Sequence, residues 1–262
     1  MLRILWNSKS AMNAEQEKLN VISNNLANSS TAGYKRENVG FEDLVYETLN
    51  RTGYPNSGNS PKEPINGTGV KAAEWIRDTS EGSLKQTGIN TDLAIDGDGY
   101  FRVTLPNGTK AYERAGDFNI DAAGTVVDKN GNRLDMGLSP EGTSLRNSGT
   151  FLRPDNFKVG ENGEVYLNNN DTTYLYGKIN LYMPIGQTAF RSIGNNLYQP
   201  IPGAQVIPSN AKIRQGALEG SNVDLAAEMT DLISAQRAFE INSKGVQTAD
   251  EMWQLVNNMK SK

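Results

Sequence analysis

The sequence predicts an α+β fold: long N- and C-terminal helices packing as a coiled-coil-like pair, with a central all-β domain between them. Three observations predict it. Leucine and methionine recur at heptad spacing near the start of the chain. A 3/4-spaced apolar stripe runs through the closing residues 225–256. Between them, short β-branched and aromatic runs alternate with Asn-Gly turns.

In the opening helix, Leu5, Met12, Leu19 and Leu26 recur in a heptad, and Met1 and Ile22 fill further 3/4 positions. That is the narrow stripe of a helix-packing seam. Ser8 and Glu15 interrupt it. From Leu2 to Asn28 the helix would be roughly 40 Å long at about 1.5 Å per residue. Asn28, Ser29, Ser30 and Thr31 then offer groups that compete with the backbone ladder, and Gly33 supplies an exit. The same spacing equally describes a core helix of a globular domain, since about three or four heptads are the least that define a coiled coil.

In the closing helix, Leu225, Met229, Leu232, Ala235, Phe239, Val246, Ala249, Trp253 and Val256 share one face, with Asn242 its polar member. This reads as packing surface, not a ligand box. Ser221-Asn222-Val223-Asp224 reads as the start, a Ser or Asn cap before an acidic first turn. Lys260 and Lys262 sit at the other end, where the helix dipole favours positive charge. Glu240 and Lys244 stand in the favourable order four apart. Gly245 costs on the order of 1 kcal/mol relative to Ala and permits a bend or a close crossing. Residues 1–36 carry five Lys/Arg against two Glu, and residues 222–262 four against six Asp/Glu, signs that suit pairing of the two helices.

The chain divides into residues 1–36 (helix and turn), 37–92 (extended linker with a short β segment), 93–200 (β domain), 201–220 (return linker) and 221–262 (helix). Gly53, Pro55, Gly58, Pro61, Pro64, Gly67 and Gly69 make residues 51–69 a loop. Val70-Lys71-Ala72 and Trp75-Ile76 read as short strands. A strand from Tyr100 to Leu105, the turn Pro106-Asn107-Gly108 and a return at Lys110 make a hairpin. Asn130-Gly131 and Asn162-Gly163 mark further turns, the latter between strands at Phe157–Val159 and Glu164–Tyr166. Pro200, Pro202 and Pro208 are expected to break structure before the closing helix.

Composition narrows the function. Among 262 residues, 37% are hydrophobic and the net charge is −4, which predicts a thin core. No basic cluster suggests nucleic acid, and no apolar run is long enough to span a membrane. No apolar h-region suggests a cleaved secretory signal. There is no cysteine and no histidine. That removes disulfides, thiolate metal sites, the commonest general base and the commonest transition-metal ligand. No catalytic residue, cofactor or metal site is expected. Asp96-Gly97-Asp98-Gly99 places Tyr100 and Phe101 where a calcium loop needs an oxygen ligand and a glycine. Arg102 stands where a dinucleotide fingerprint needs glycine, so the motif reads as a tight turn feeding a strand. Asp92, Asp96 and Asp98 could supply a glycosidase pair, but solvated turn carboxylates are the simpler reading.

Asn24-Asn25-Leu26-Ala27-Asn28, followed by Thr31, Gly33, Tyr34, Lys35 and Arg36, resembles the N-terminal signature of the bacterial flagellar axial proteins, the rod and hook subunits. Leu93-Ala94-Ile95-Asp96-Gly97-Asp98-Gly99-Tyr100-Phe101 and Tyr112-Glu113-Arg114-Ala115-Gly116-Asp117-Phe118 resemble their central domain. Gly216-Ala217-Leu218-Glu219-Gly220-Ser221-Asn222-Val223 and Gln236-Arg237-Ala238-Phe239-Glu240-Ile241-Asn242 resemble their C-terminal region. Length and the stretch from Gln236 to Lys244 are most similar to distal rod proteins, and proximal rod proteins are the alternative. The resemblance implies a structural subunit of a tubular drive shaft that carries motor torque through the cell envelope. Its implied partners are copies of itself in a helical tube, proximal rod and hook proteins, the flagellar export apparatus and envelope ring proteins. Export without a cleaved signal is implied as well.

On this reading the assembly surface comprises Leu5, Met12, Leu19, Ile22, Leu26, Asn28, Tyr34, Leu225, Met229, Leu232, Phe239, Val246, Trp253 and Val256. The turn from Asn28 to Arg36 and the segment 51–69 would touch neighbouring subunits. Two competing readings remain at this stage. One is a β-domain binding module on a helical stalk, forming a closed oligomer of fixed size. The other is a carboxylate-dependent hydrolase of envelope glycans.

Overall fold

The computed structural model describes residues 2–44, 46–48, 65–67, 69–169, 172–186 and 188–260. Most of the predicted loop at 51–69 lies outside them, as does Met1. Among the described residues there are three helices, α1 (Leu2–Ala27), α2 (Pro140–Asn147) and α3 (Leu225–Lys260). The chain forms two compact units. One comprises Met1–Ala27, Glu37–Ile76 and Asp224–Lys262, the other Asn28–Arg36 and Arg77–Val223.

In the first unit α1 packs along α3, and the two-stranded ribbon of Glu37–Asp43 with Val70–Arg77 lies beside α1. The expected pair of short strands at 70–76 is thus one continuous strand. The helices bury Ala14, Val21 and Ile22 of α1 with Ala235 and Ala249 of α3. Small residues on both sides let the backbones come close. At Gly245 the two helices come close enough that a Cβ there would stand 3.2 Å from Ser8 Oγ. Ser8, expected to interrupt the seam, is therefore part of the crossing. The start of α3 differs from expectation. Asp224 is the cap, its Oδ1 accepting from the amides of Ala226 at 2.9 Å and Ala227 at 3.3 Å. Asn222 cannot cap because its side chain is engaged by other segments.

The second unit holds two larger sheets and two two-stranded pairs, Leu93–Asp96 with Lys212–Gln215 and Leu84–Gln86 with Ala217–Glu219. In the nine-stranded sheet, Tyr100–Thr104 pairs with Lys110–Glu113, which continues to Leu197–Pro200 and Phe190–Gly194. On its other side run Arg133–Leu134, Val126–Val127 and Asn119–Ile120, and Leu181–Pro184 joins it to Val206–Ser209. The second sheet orders Met136–Leu138, Thr172–Ile179, Glu164–Asn169 and Phe157–Val159. Side chains alternate across a strand. Phe101 and Val103 therefore enter the main core with Phe118, Val165, Leu167, Ile179 and Ile213. Tyr100 joins Tyr112, Phe190 and Tyr198 in a separate aromatic cluster. Gly116 is needed for closeness, since a Cβ there would overlap the carbonyl of Leu93. Gly116→Ala is expected to cost about 1–3 kcal/mol, read as a lower urea midpoint.

Two further expectations are corrected. The middle of the chain is not purely β, because Ser139-Pro140-Glu141 starts α2. Ser139 Oγ accepts from the Gly142 amide at 2.8 Å, and Pro140 occupies the first turn, where its missing N–H costs nothing. Nor do Pro200 and Pro208 break the sheet. Pro208 sits in the outermost strand opposite Tyr182 and Pro200 ends its strand, positions where a missing donor is tolerated. The free edges of the nine-stranded sheet share a property: one carries Pro208, one a register shift between Ser192 and Gly194, and the third is the two-residue strand Asn119–Ile120.

Candidate functional site

The predicted assembly residues divide by position. In the helical unit Ile22 is buried, while Leu5, Met12, Leu19, Leu26, Leu232, Phe239 and Val246 are half-buried between or beside the helices. Leu225, Met229, Trp253 and Val256 are exposed. Asn28 is half-buried and Tyr34 buried, both in the β unit. The sequence reading missed Ile233, Ile241, Met252, Leu255 and Met259, all exposed on α3, and Trp6, exposed on α1. At about 100° per residue these α3 positions fall away from the Ala235–Ala249 face. A helix apolar on both sides is one built to be covered on both sides.

Asn25 fastens this unit internally. Its Nδ2 donates to the Glu37 carbonyl at 2.8 Å and to Glu228 Oε2 at 3.2 Å, and its Oδ1 accepts from the Glu37 amide at 3.0 Å. Asn25 and Glu228 are both buried. One amide thus ties the end of α1, the ribbon and the first turn of α3.

In the β unit, three of the sequence segments that carry the resemblance meet at one buried ionic cluster. Lys35 Nζ lies 2.6 Å from Glu219 Oε1, and Arg114 Nε donates to Glu219 Oε2. All three side chains are at most 4% exposed. Arg114 also donates to the carbonyls of Gly99 at 2.5 Å and Gly97 at 2.8 Å. That explains Asp96-Gly97-Asp98-Gly99: its turn presents carbonyls to a guanidinium, and Gly97 adopts φ +110° to do so. Lys35 Nζ reaches the Ser80 carbonyl at 2.6 Å, and the Gly82 amide donates to Glu219 Oε1 at 2.9 Å. Burial pushes the Lys35 pKa below its usual value and Arg114 adds to the effect, while the bond to Glu219 opposes it. Gly33 lets the turn fit: its φ is +68°, and a Cβ there would clash with the backbone at 2.5 Å from the Ala115 amide nitrogen. Gly33→Val is expected to open the Lys35–Glu219 contact and lower the thermal midpoint of this unit by about 5 °C or more, measured by calorimetry.

Two of the three carboxylates considered for hydrolysis are engaged in structural contacts. Asp96 pairs with Arg214 at 2.6 Å, and Asp92 accepts from Thr87 Oγ1 at 2.6 Å. Among the described residues no acidic cluster could hold a metal ion, and no helix is long and apolar enough to cross a membrane.

Family comparisons match the same segments. Residues 5–35 match the flagella basal body rod protein family, 94–167 the D1 domain of the flagellar hook protein FlgE/F/G family, and 214–259 the C-terminal region of the flagellar basal body rod FlgEFG proteins. The chain is 38% identical to the flagellar basal-body rod protein FlgG of Borreliella burgdorferi, covering 99% of both chains. It is 36% identical to the FlgG of Bacillus subtilis over 99% of this chain and all of that one. The flagellar hook-basal body complex protein FlhP of the same species is 28% identical over 99% of this chain. These are structural proteins, not enzymes, and the segments they share with this chain supply its helix pair and its ionic cluster: the chain belongs to the flagellar basal-body rod protein family.

Proposed function

We propose that this chain is a distal rod subunit that polymerises into a helical tube, with its helices lining the inner wall around the export channel. The tube passes motor torque to the hook. Copies of itself are the main partners, with proximal rod and hook proteins at its ends. The export apparatus delivers it without a cleaved signal, and envelope ring proteins surround it. The observation that supports this reading is the second apolar side of α3, where Met229, Ile233, Ile241, Met252, Leu255 and Met259 are exposed. Apolar surface of that extent is unfavourable in water until another helix covers it. An interface of this kind that does not close on itself extends as a filament.

The test uses Ile241, which is 69% exposed. Ile241→Asp should leave the monomer's thermal midpoint within about 2 °C of the parent. It should also abolish extended polymers in electron micrographs and motility in the host. Normal assembly of the variant would overturn the reading. So would a parent chain that stops at a closed oligomer of fixed size.

A further inference from the structure

Four covalent crossings join the two units, at residues 27/28, 36/37, 76/77 and 223/224. Inside the β unit, the segments that carry these crossings are stitched to one another. The Gly33 amide donates to the Glu219 carbonyl at 2.9 Å, the Asp78 amide to the Arg36 carbonyl at 2.8 Å, and the Gly220 amide to the Ser83 carbonyl at 2.8 Å. One side chain reaches the other two segments at once. Asn222 Oδ1 accepts from the Arg36 amide at 2.6 Å, and its Nδ2 donates to the carbonyls of Asp78 at 3.0 Å and Ser80 at 3.2 Å.

We propose that Asn222 is a junction staple, a positioning residue that holds the chain segments leaving the β unit at fixed separations, so that twist entering one is shared by all. The amide is suited to this, since it donates and accepts in one plane and carries no charge to neutralise. Glu219, Lys35 and Arg114 fix the interior of the junction, and Asn222 fixes its rim, where the segments leave. Without the staple, the segments at 36/37 and 76/77 keep the backbone bond between Asp78 and Arg36, but the segment that leaves at 223/224 loses its side-chain hold on both. With it, rotation of one requires breaking hydrogen bonds on the others. The stitching belongs to the β unit whatever the protein does. The mechanical use made of it rests on the rod reading above.

The experiment compares Asn222→Ala and Asn222→Asp with the parent in the full chain, by amide hydrogen exchange resolved to residues 28–36, 77–83 and 216–223. In Asn222→Ala, exchange at Arg36, whose amide loses its acceptor, should accelerate at least about tenfold, while Tyr100–Thr104 keeps its protection. Asn222→Asp keeps an acceptor for Arg36 but loses both donors, so protection should return at Arg36. Unchanged exchange at the junction overturns the staple, and so does a uniform loss across the β unit, which would mark a residue of general stability only. The mechanical role is read separately, in cells. Asn222→Ala rods should assemble, and swimming speed should fall more steeply with medium viscosity than in the parent. Equal speed at every viscosity overturns the mechanical role while leaving the staple intact. A parent chain that forms no rod overturns the rod reading instead.

Discussion

Glu219→Ala should lower the thermal midpoint of the β unit by about 6–20 °C. The carboxylate is the shared partner of two buried cations, Lys35 and Arg114. Removing one member of a buried pair costs about 3–5 kcal/mol, because the remaining charge is left in a medium that solvates it poorly. In a unit of this size each kcal/mol moves the midpoint by about 2–4 °C. Backbone carbonyls from Gly97, Gly99 and Ser80 share the cations, so the loss should stop short of complete unfolding at room temperature. Glu219→Gln keeps the shape and one acceptor and should fall between the two. Lys35→Met added to Glu219→Gln should recover part of the loss, since it withdraws a buried charge that has lost its ionic partner. Differential scanning calorimetry reads all three variants. Midpoints within about 2 °C of the parent, or strict additivity of the pair, would show that the cluster contributes little.

The second large effect is on pH dependence. Glu113 is buried with its Oε1 unpartnered, and burial raises its pKa from 4.5 to about 9, with Asp128 and Asp117 adding to the rise and Lys129 opposing it. The folded unit therefore holds a neutral carboxylic acid at neutral pH. Below about pH 4.5 both folded and unfolded chains are protonated, and the group's full contribution to stability is present. Between about 4.5 and 9 only the folded chain keeps the proton, so stability falls as pH rises, by up to about 1.4 kcal/mol per unit. By pH 7 the loss is on the order of 3 kcal/mol. Glu113→Gln removes the titration. It should match the parent near pH 4.5, melt about 6–12 °C higher near pH 7, and gain further up to pH 9. Thermal melts across that range decide it. A variant whose curve runs parallel to the parent's would show that Glu113 titrates alike in both states.

Elements governed by local periodicity were legible in the sequence. The heptad of Leu5 to Leu26 and the stripe from Leu225 to Val256 predicted helices where α1 and α3 lie. The Pro106-Asn107-Gly108 turn lies between Tyr100–Thr104 and Lys110–Glu113, as expected. Short signals embedded in a different context were lost. Ser139-Pro140-Glu141 is a good helix start, but it opens only eight residues of helix amid strands. The ionic cluster could not be read at all. Lys35, Arg114 and Glu219 come from segments far apart in the chain, and no local pattern marks a lysine whose partner lies 184 residues on. Only the fold brings them together. The second side of α3 was overlooked for another reason. Arg237, Glu240 and Lys244 are interspersed with its apolar residues, so the stripe does not stand out from spacing alone.

The blunted margins of the nine-stranded sheet bear on which polymer forms. Subunits crowded side by side at high local concentration are at risk of cross-β fusion, where an open strand recruits its copy through backbone hydrogen bonds. A proline, a bulge and a strand too short to template pairing each raise the barrier to that route. The helices carry no such guard, because their backbone groups are satisfied internally and only side chains remain to be covered. On the polymerising role proposed above, self-association would thereby be channelled into a side-chain-encoded register, with the kinetic trap of amyloid held off where growth is wanted.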